Sequence, residues 1–163
     1  MVKVLFVCLG NICRSPLAEG LFRHRALEAG LQEGLGGVFM ADSAGTGSWH
    51  VGNPPDSRSV AVARKYGLDI STQRGRQVAP DDFTTFDYIL AMDRDNLSAL
   101  HAQCPPEHME KLSLLLAHAP DTKLSEVPDP YFFSDDAGFE RIFSVISEGV
   151  DGFLAHMKSA HFR

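Results

Sequence analysis

One stretch near the N-terminus leaves few folds open. Met1-Val2-Lys3-Val4-Leu5-Phe6-Val7 carries an apolar run rich in β-branched residues, as in a strand buried on both faces of a parallel sheet. A Gly-containing turn follows. Ser15-Pro16 then opens a helical pattern, with Ser15 as N-cap, Pro16 at the first helical position and Glu19 in the first turn. Leu17, Ala18, Leu21, Phe22 and Leu27 form its apolar stripe, which ends near Gly30. A buried strand passing through a tight turn into a helix is the first half of a right-handed βαβ unit.

The alternation continues along the chain. Residues 38–43 read as a second strand, and 44–55, with three Gly and two Pro, as a loop. A helix capped by Asp56 or Ser57 closes at Gly67, and residues 69–80 are polar and irregular. A third strand over 86–91 precedes a helix over 93–103. A short fourth strand falls within 111–116, and 117–134 is loop-like. The longest helical pattern, 137–158, puts Phe139, Ile142, Phe143, Ile146, Val150, Phe153 and Leu154 on one face. The expectation is a single α/β domain over 1–163, with a mostly parallel sheet between helices and ligands at the carboxyl ends of its strands.

Composition narrows the function. A chain of 163 residues, 44% hydrophobic and 22% charged, is an ordinary soluble globular domain. Fifteen Lys and Arg against 21 Asp and Glu give a net charge of −6, which disfavours nucleic acid and anionic lipid as partners. A small anion can still be held by a local nest of backbone donors. The N-terminal apolar run is too short for a secretory signal, and no run approaches the ~18 apolar residues that span a bilayer. Three cysteines, Cys8, Cys13 and Cys104, form no disulfide framework and suit a reducing cytoplasm.

The end of the first strand holds Cys8-Leu9-Gly10-Asn11-Ile12-Cys13-Arg14-Ser15. Gly10 and Asn11 tolerate left-handed backbone angles, so the loop can curl until successive N–H groups point inward. With the positive end of the following helix, these donors make a cradle sized for phosphate, and the planar fork of Arg14 can grip two of its oxygens. Cys8 sits at the floor. The helix terminus, the N–H groups, Arg14 and the Ser15 hydroxyl all favour its thiolate, which is expected to form well below the ~8.5 of a free thiol. A thiolate under a bound phosphate is placed for in-line attack on phosphorus. A merely apolar Cys8 at a strand end would not explain Gly, Asn, Arg and Ser at these spacings before a helix.

Val7-Cys8-Leu9-Gly10-Asn11-Ile12-Cys13-Arg14-Ser15-Pro16 resembles the signature of the low-molecular-weight protein tyrosine phosphatases. The likeness extends to Asp42-Ser43-Ala44-Gly45-Thr46, Trp49, Ala91-Met92-Asp93 and Asp129-Pro130-Tyr131, and so spans nearly the whole chain. It implies three α/β/α layers around a four-stranded parallel sheet, no metal or cofactor, and two-step hydrolysis of phosphotyrosine and aryl phosphates. Cys8 is then the nucleophile and Arg14 the phosphate ligand. Asp129, stiffened between Pro128 and Pro130, is the general acid and then base, its carboxyl pushed toward protonation by a bound phosphate dianion. Leu9, Gly10, Asn11, Ile12, Cys13 and Ser15 line the cradle. Trp49 and Tyr131 wall a slot deep enough to favour phosphotyrosine over phosphoserine; without the resemblance each would read as a partly buried loop anchor.

Asn11 and Ser43 resemble a polar network that holds the loop. Its usual histidine corresponds here to Gln73, ahead of Arg76-Gln77, which cannot become cationic. Phe132 stands where some relatives have a second tyrosine. The resemblance also implies a reversible Cys8–Cys13 disulfide under peroxide; the alternative is that Cys13 only packs behind the cradle. Cys104 reads as incidental, Asp135 and Asp136 as solvated or capping, and the seven histidines (His24, His50, His101, His108, His118, His156, His161) as surface residues without metal-ligand spacing. Tyrosine-phosphorylated proteins are the expected partners of a monomer, with pairing to a tyrosine kinase left open. An arsenate reductase would need relay cysteines beyond Cys104, and a dead binding module would need neither thiolate nor acid.

Overall fold

The structure, a computed structural model, describes residues 1–130 and 136–162. Strands β1 (Val2–Cys8), β2 (Phe39–Gly45), β3 (Tyr88–Ala91) and β4 (Leu112–Leu114) form one parallel sheet in the order β2-β1-β3-β4. Helices α1 (Arg14–Glu28), α2 (Ser57–Lys65), α3 (Asp82–Thr85), α4 (Arg94–Gln103) and α5 (Asp136–His161) flank it. The expected three layers and four parallel strands are present.

The apolar run of β1 alternates between two cores. Val2, Val4 and Phe6 join Leu17, Leu21, Phe22, Ile146 and Phe153 on the side of α1 and α5, whereas Leu5 and Val7 join Phe83, Ile89, Leu100 and Leu112 on the other. Burial on both faces is what a central parallel strand requires. Phe22 sits between three aromatic rings, Phe6, Phe39 and Phe153, at centroid distances of 5.6, 5.5 and 5.7 Å. Phe22→Ala would cost about 3–5 kcal/mol. Because β1 pairs with β2 on one side and β3 on the other, their carboxyl ends converge where the strand order reverses, the usual ligand crevice of such sheets.

Several local readings change. Helix α1 starts two residues earlier, at Arg14 rather than Pro16, and no side chain caps it; the Ser15 hydroxyl is engaged with Cys8 and Asn11 instead. Leu27 is exposed, off the apolar stripe. Strand β2 runs on to Gly45, and the short α3 and the 3-10 turns at Pro106–Lys111 and Leu115–His118 carry too few residues to show a period. Asp56 caps α2, accepting from the Arg58 N–H at 2.8 Å, and Gly67 follows its C-terminus at φ 83°. Asp136 falls in the first turn of α5; Tyr131, Phe132 and Asp135 lie outside the described residues. Among the described residues no helix is long and apolar enough to cross a membrane.

Candidate active site

Cys8 ends β1 beside Gly45 of β2, and the loop after it folds back over that glycine. A Cβ at Gly45 would lie 2.8 Å from the Leu9 carbonyl oxygen and 3.2 Å from the Asn11 Cβ, so the loop can rest there only against a glycine. The loop backbone is pinned to the next one: Thr46 N–H donates to the Cys8 carbonyl at 2.9 Å, Gly47 N–H to Leu9 at 2.9 Å, and Asp56 N–H to Ile12 at 2.8 Å. Of the two residues suited to left-handed angles, only Asn11 uses them, at φ 56°. At Gly10 a Cβ would stand 3.1 Å from the His50 ring, a tight contact that the ring would have to shift to relieve.

The fully buried polar groups converge on the sulfur. Asn11 N–H points at Cys8 Sγ (3.3 Å), and the Ser15 hydroxyl lies 3.0 Å from it. The Asn11 side chain donates through Nδ2 to Ser15 Oγ (2.8 Å) and Ser43 Oγ (3.0 Å), and accepts at Oδ1 from the Arg76 N–H (2.9 Å). Ser43 donates onward to Glu19 Oε1 at 2.7 Å. Gln73 stands apart from the Asn11 network: its amide donates to the Pro16 carbonyl at 3.1 Å, its buried oxygen has no partner among the described residues, and the Arg76 N–H serves Asn11 instead.

Arg14 is buried beside the cradle. Its Nη1 donates to Asp93 Oδ2 (2.7 Å) and to the Val127 carbonyl (3.0 Å), while Nη2 lies 3.8 Å from Asp129 Oδ2. Burial works against the guanidinium charge, but Cys8, Asp93 and Asp129 more than offset it and hold its pKa above the usual arginine value. Burial, with the Asp56 charge nearby, pushes the Cys13 thiol up to about 12, so Cys13 stays protonated at neutral pH. Cys104 is buried in the second core at the end of α4 and lines no part of the cleft.

Cys8, Leu9, Gly10, Ile12, Cys13, Arg14, Trp49, His50 and Asp129 line one cleft of about 430 Å³, counted out to its mouth. Asn11, Ser15 and Ser43 lie behind it as supports, and Tyr131 is outside the described residues. Trp49 is no buried anchor: it stands 71% exposed at the rim. Two residues were missed by sequence reasoning. Asp93 grips Arg14 from the carboxyl end of β3, a place the Ala91-Met92-Asp93 segment and the strand's position already favoured. His50 faces the cleft over Gly10, and its only sequence signal is adjacency to Trp49.

A parallel α/β/α sheet with a curled loop and a helix N-terminus at the carboxyl end of its central strand, and a cysteine and an arginine beside them, defines a class of fold suited to holding a small anion. The family is specific. The model of the low molecular weight phosphotyrosine protein phosphatase family matches residues 3–161, and the chain belongs to that family. It is 40% identical over 158 residues to the low molecular weight protein-tyrosine-phosphatase YfkJ of Bacillus subtilis, covering 97% of each chain. The crystal structure of YfkJ superposes with a TM-score of 0.91 over 99% of this chain and 97% of that one. The human low molecular weight phosphotyrosine protein phosphatase is 39% identical, with 86% of each chain covered. A protein tyrosine phosphatase from Entamoeba histolytica, with Hepes in its active site, gives a TM-score of 0.90 at 34% identity, covering 98% of this chain and 99% of that one.

Proposed function

We propose that the protein hydrolyses phosphotyrosine and aryl phosphate monoesters in two steps. Cys8 attacks as the thiolate, the anion that the Asn11 N–H, the Ser15 hydroxyl and Arg14 stabilise, and the S–P bond forms as the P–O bond breaks. The Nε–Nη2 edge of Arg14 binds two equatorial oxygens and follows their charge into the transition state. Asp129 protonates the departing phenolate, then takes a proton from the water that cleaves the phosphocysteine. Leu9, Ile12 and Trp49 border the aryl ring, and Gly10 and Cys13 complete the cradle.

The observation that carries this reading is the meeting of Cys8, Arg14 and Asp129 in one cleft, with backbone and hydroxyl donors on the sulfur. A binding module needs no nucleophile opposite a carboxylate. The physiological setting is a single-domain monomer in a reducing cytoplasm, acting on tyrosine-phosphorylated proteins. The test is p-nitrophenyl phosphate hydrolysis in the presence of chelator. Parent activity should persist, Cys8→Ser should lose it, and activity retained by Cys8→Ser would sink the mechanism.

A further inference from the structure

The polar chain behind Cys8 has a direction. A backbone N–H can only donate, so the Arg76 N–H fixes which end of the Asn11 amide is oxygen. Both Nδ2 hydrogens are then spent on Ser15 and Ser43. Ser15 accepts from Asn11, which leaves its own proton for Cys8 Sγ. Ser43 accepts from Asn11 as well, so its proton must go to Glu19 Oε1, which has to be an acceptor there. Glu19, 6% exposed, is held on its other oxygen by Arg23 Nη1 at 2.8 Å. Arg23 is in turn clamped by both Glu33 oxygens and by the Ala41 carbonyl.

We infer that the Glu19–Arg23 pair is a positioning device for the nucleophile: by keeping an acceptor for the Ser43 proton, it holds Ser43 in place under one Asn11 amide hydrogen, and so steadies the Asn11 side chain whose other hydrogen leaves the Ser15 hydroxyl aimed at Cys8. This rests on the role proposed for Cys8. If Glu19 takes a proton and donates it to Ser43, the Ser43 oxygen accepts from both Glu19 and Asn11, and its own proton loses its acceptor in a buried place. The support of the loop weakens. Burial raises the Glu19 carboxyl above the usual range, and Asp42 adds to this, while Ser43 and Arg23 oppose it. The charged groups facing this site are Arg23 on the same helix, Asp42 on β2, itself paired with Arg76, and Glu33 beyond Arg23. Gln73 supplies no cation here.

The experiment is the pH dependence of kcat for p-nitrophenyl phosphate, which reports groups in the enzyme–substrate complex. Arg23→Gln keeps a donor without the charge. Its acidic limb should move up by about one pH unit, with the loss of kcat confined to the acidic side and less than about twofold change at pH 8. Arg23→Lys, which keeps the charge, should restore most of the shift. In a Ser43→Ala background the chain is cut, so Arg23→Gln should no longer move the limb, a non-additivity that a merely structural arginine would not show. An unmoved limb, or a shift that persists without Ser43, overturns the inference. If Arg23→Gln does not fold, Arg23→Met serves in the same pair of measurements. Turnover that survives Cys8→Ser would instead overturn the proposed mechanism, so the two failures are distinct.

Discussion

Residues 8–15 and residues 127–129 meet at Arg14, and they are held differently. The loop is fixed before any substrate arrives: Asn11 alone makes four hydrogen bonds within it or behind it, and neighbouring backbone holds three of its carbonyls. The acid-bearing segment is docked through Val127, whose N–H donates to Met92 and whose carbonyl accepts from Arg14, and Asp129 faces Arg14 at 3.8 Å with its side chain 29% exposed. The proposed nucleophile therefore sits in a preorganised electrostatic site, where donors cost no reorganisation as charge develops. The proposed acid shares its arginine with the incoming phosphate.

The largest effect tests the fixed side. Cys8→Ser should lower kcat by at least about 10⁴-fold while inorganic phosphate still binds within about threefold of the parent, since the cradle is made of backbone and Arg14. Loss of phosphate binding would show that the sulfur, not the donors, builds the site.

Asp129→Ala tests the other side. It should cut kcat for phosphotyrosine by roughly 10²–10⁴, and much less for p-nitrophenyl phosphate, whose leaving group departs without a proton. Equal losses for both substrates would remove Asp129 from proton transfer.

Asp93 lies at the joint between the two regions and also caps α4. Asp93→Ser should keep the cap and drop kcat/KM by about 10–100-fold, the worth of one charged hydrogen bond. A wild-type rate would mean that Arg14 needs no anchor at Nη1.

Cys13 gives the smallest effect. Iodoacetate at neutral pH should label Cys8 and spare Cys13, as mass spectrometry of peptides would show. Because the fold favours the Cys13 thiol, that contribution to stability is complete below the ~8.5 of an unfolded thiol and is lost as the pH climbs toward about 12. Cys13→Ala should flatten the fall in urea midpoint above roughly pH 8.5; an unchanged slope would place the loss elsewhere. Peroxide inactivation that dithiothreitol no longer reverses in Cys13→Ser would identify Cys13 as a resolving thiol; unchanged recovery would leave it as packing.

Much of the site could be read locally. A β-branched apolar run, a Gly-Asn turn and a Ser-Pro helix start fix the strand–loop–helix unit by backbone sterics and hydrophobic period alone, and they put Cys8 and Arg14 at its centre. The same logic misplaced what depends on neighbours. Ser15 looks like a cap because its type favours caps, yet its hydroxyl had better partners in Asn11 and Cys8. Glu19 looks like a carboxylate serving the helix terminus, yet it is buried against Ser43. Gln73 was expected in the loop network and is turned toward Pro16.

The chain's order of residues thus determined the chemistry on offer: one cysteine, one arginine and an anion cradle at a strand end, because these follow from short-range geometry. Which groups support them was decided by the strand order. With β1 between β2 and β3, Ser43 arrives from one neighbour and Asp93 from the other, and Arg76 and His50 follow on the connections. Hydrogen-bond partners that lie 30 to 80 residues apart are chosen by packing of the sheet, which no local pattern encodes.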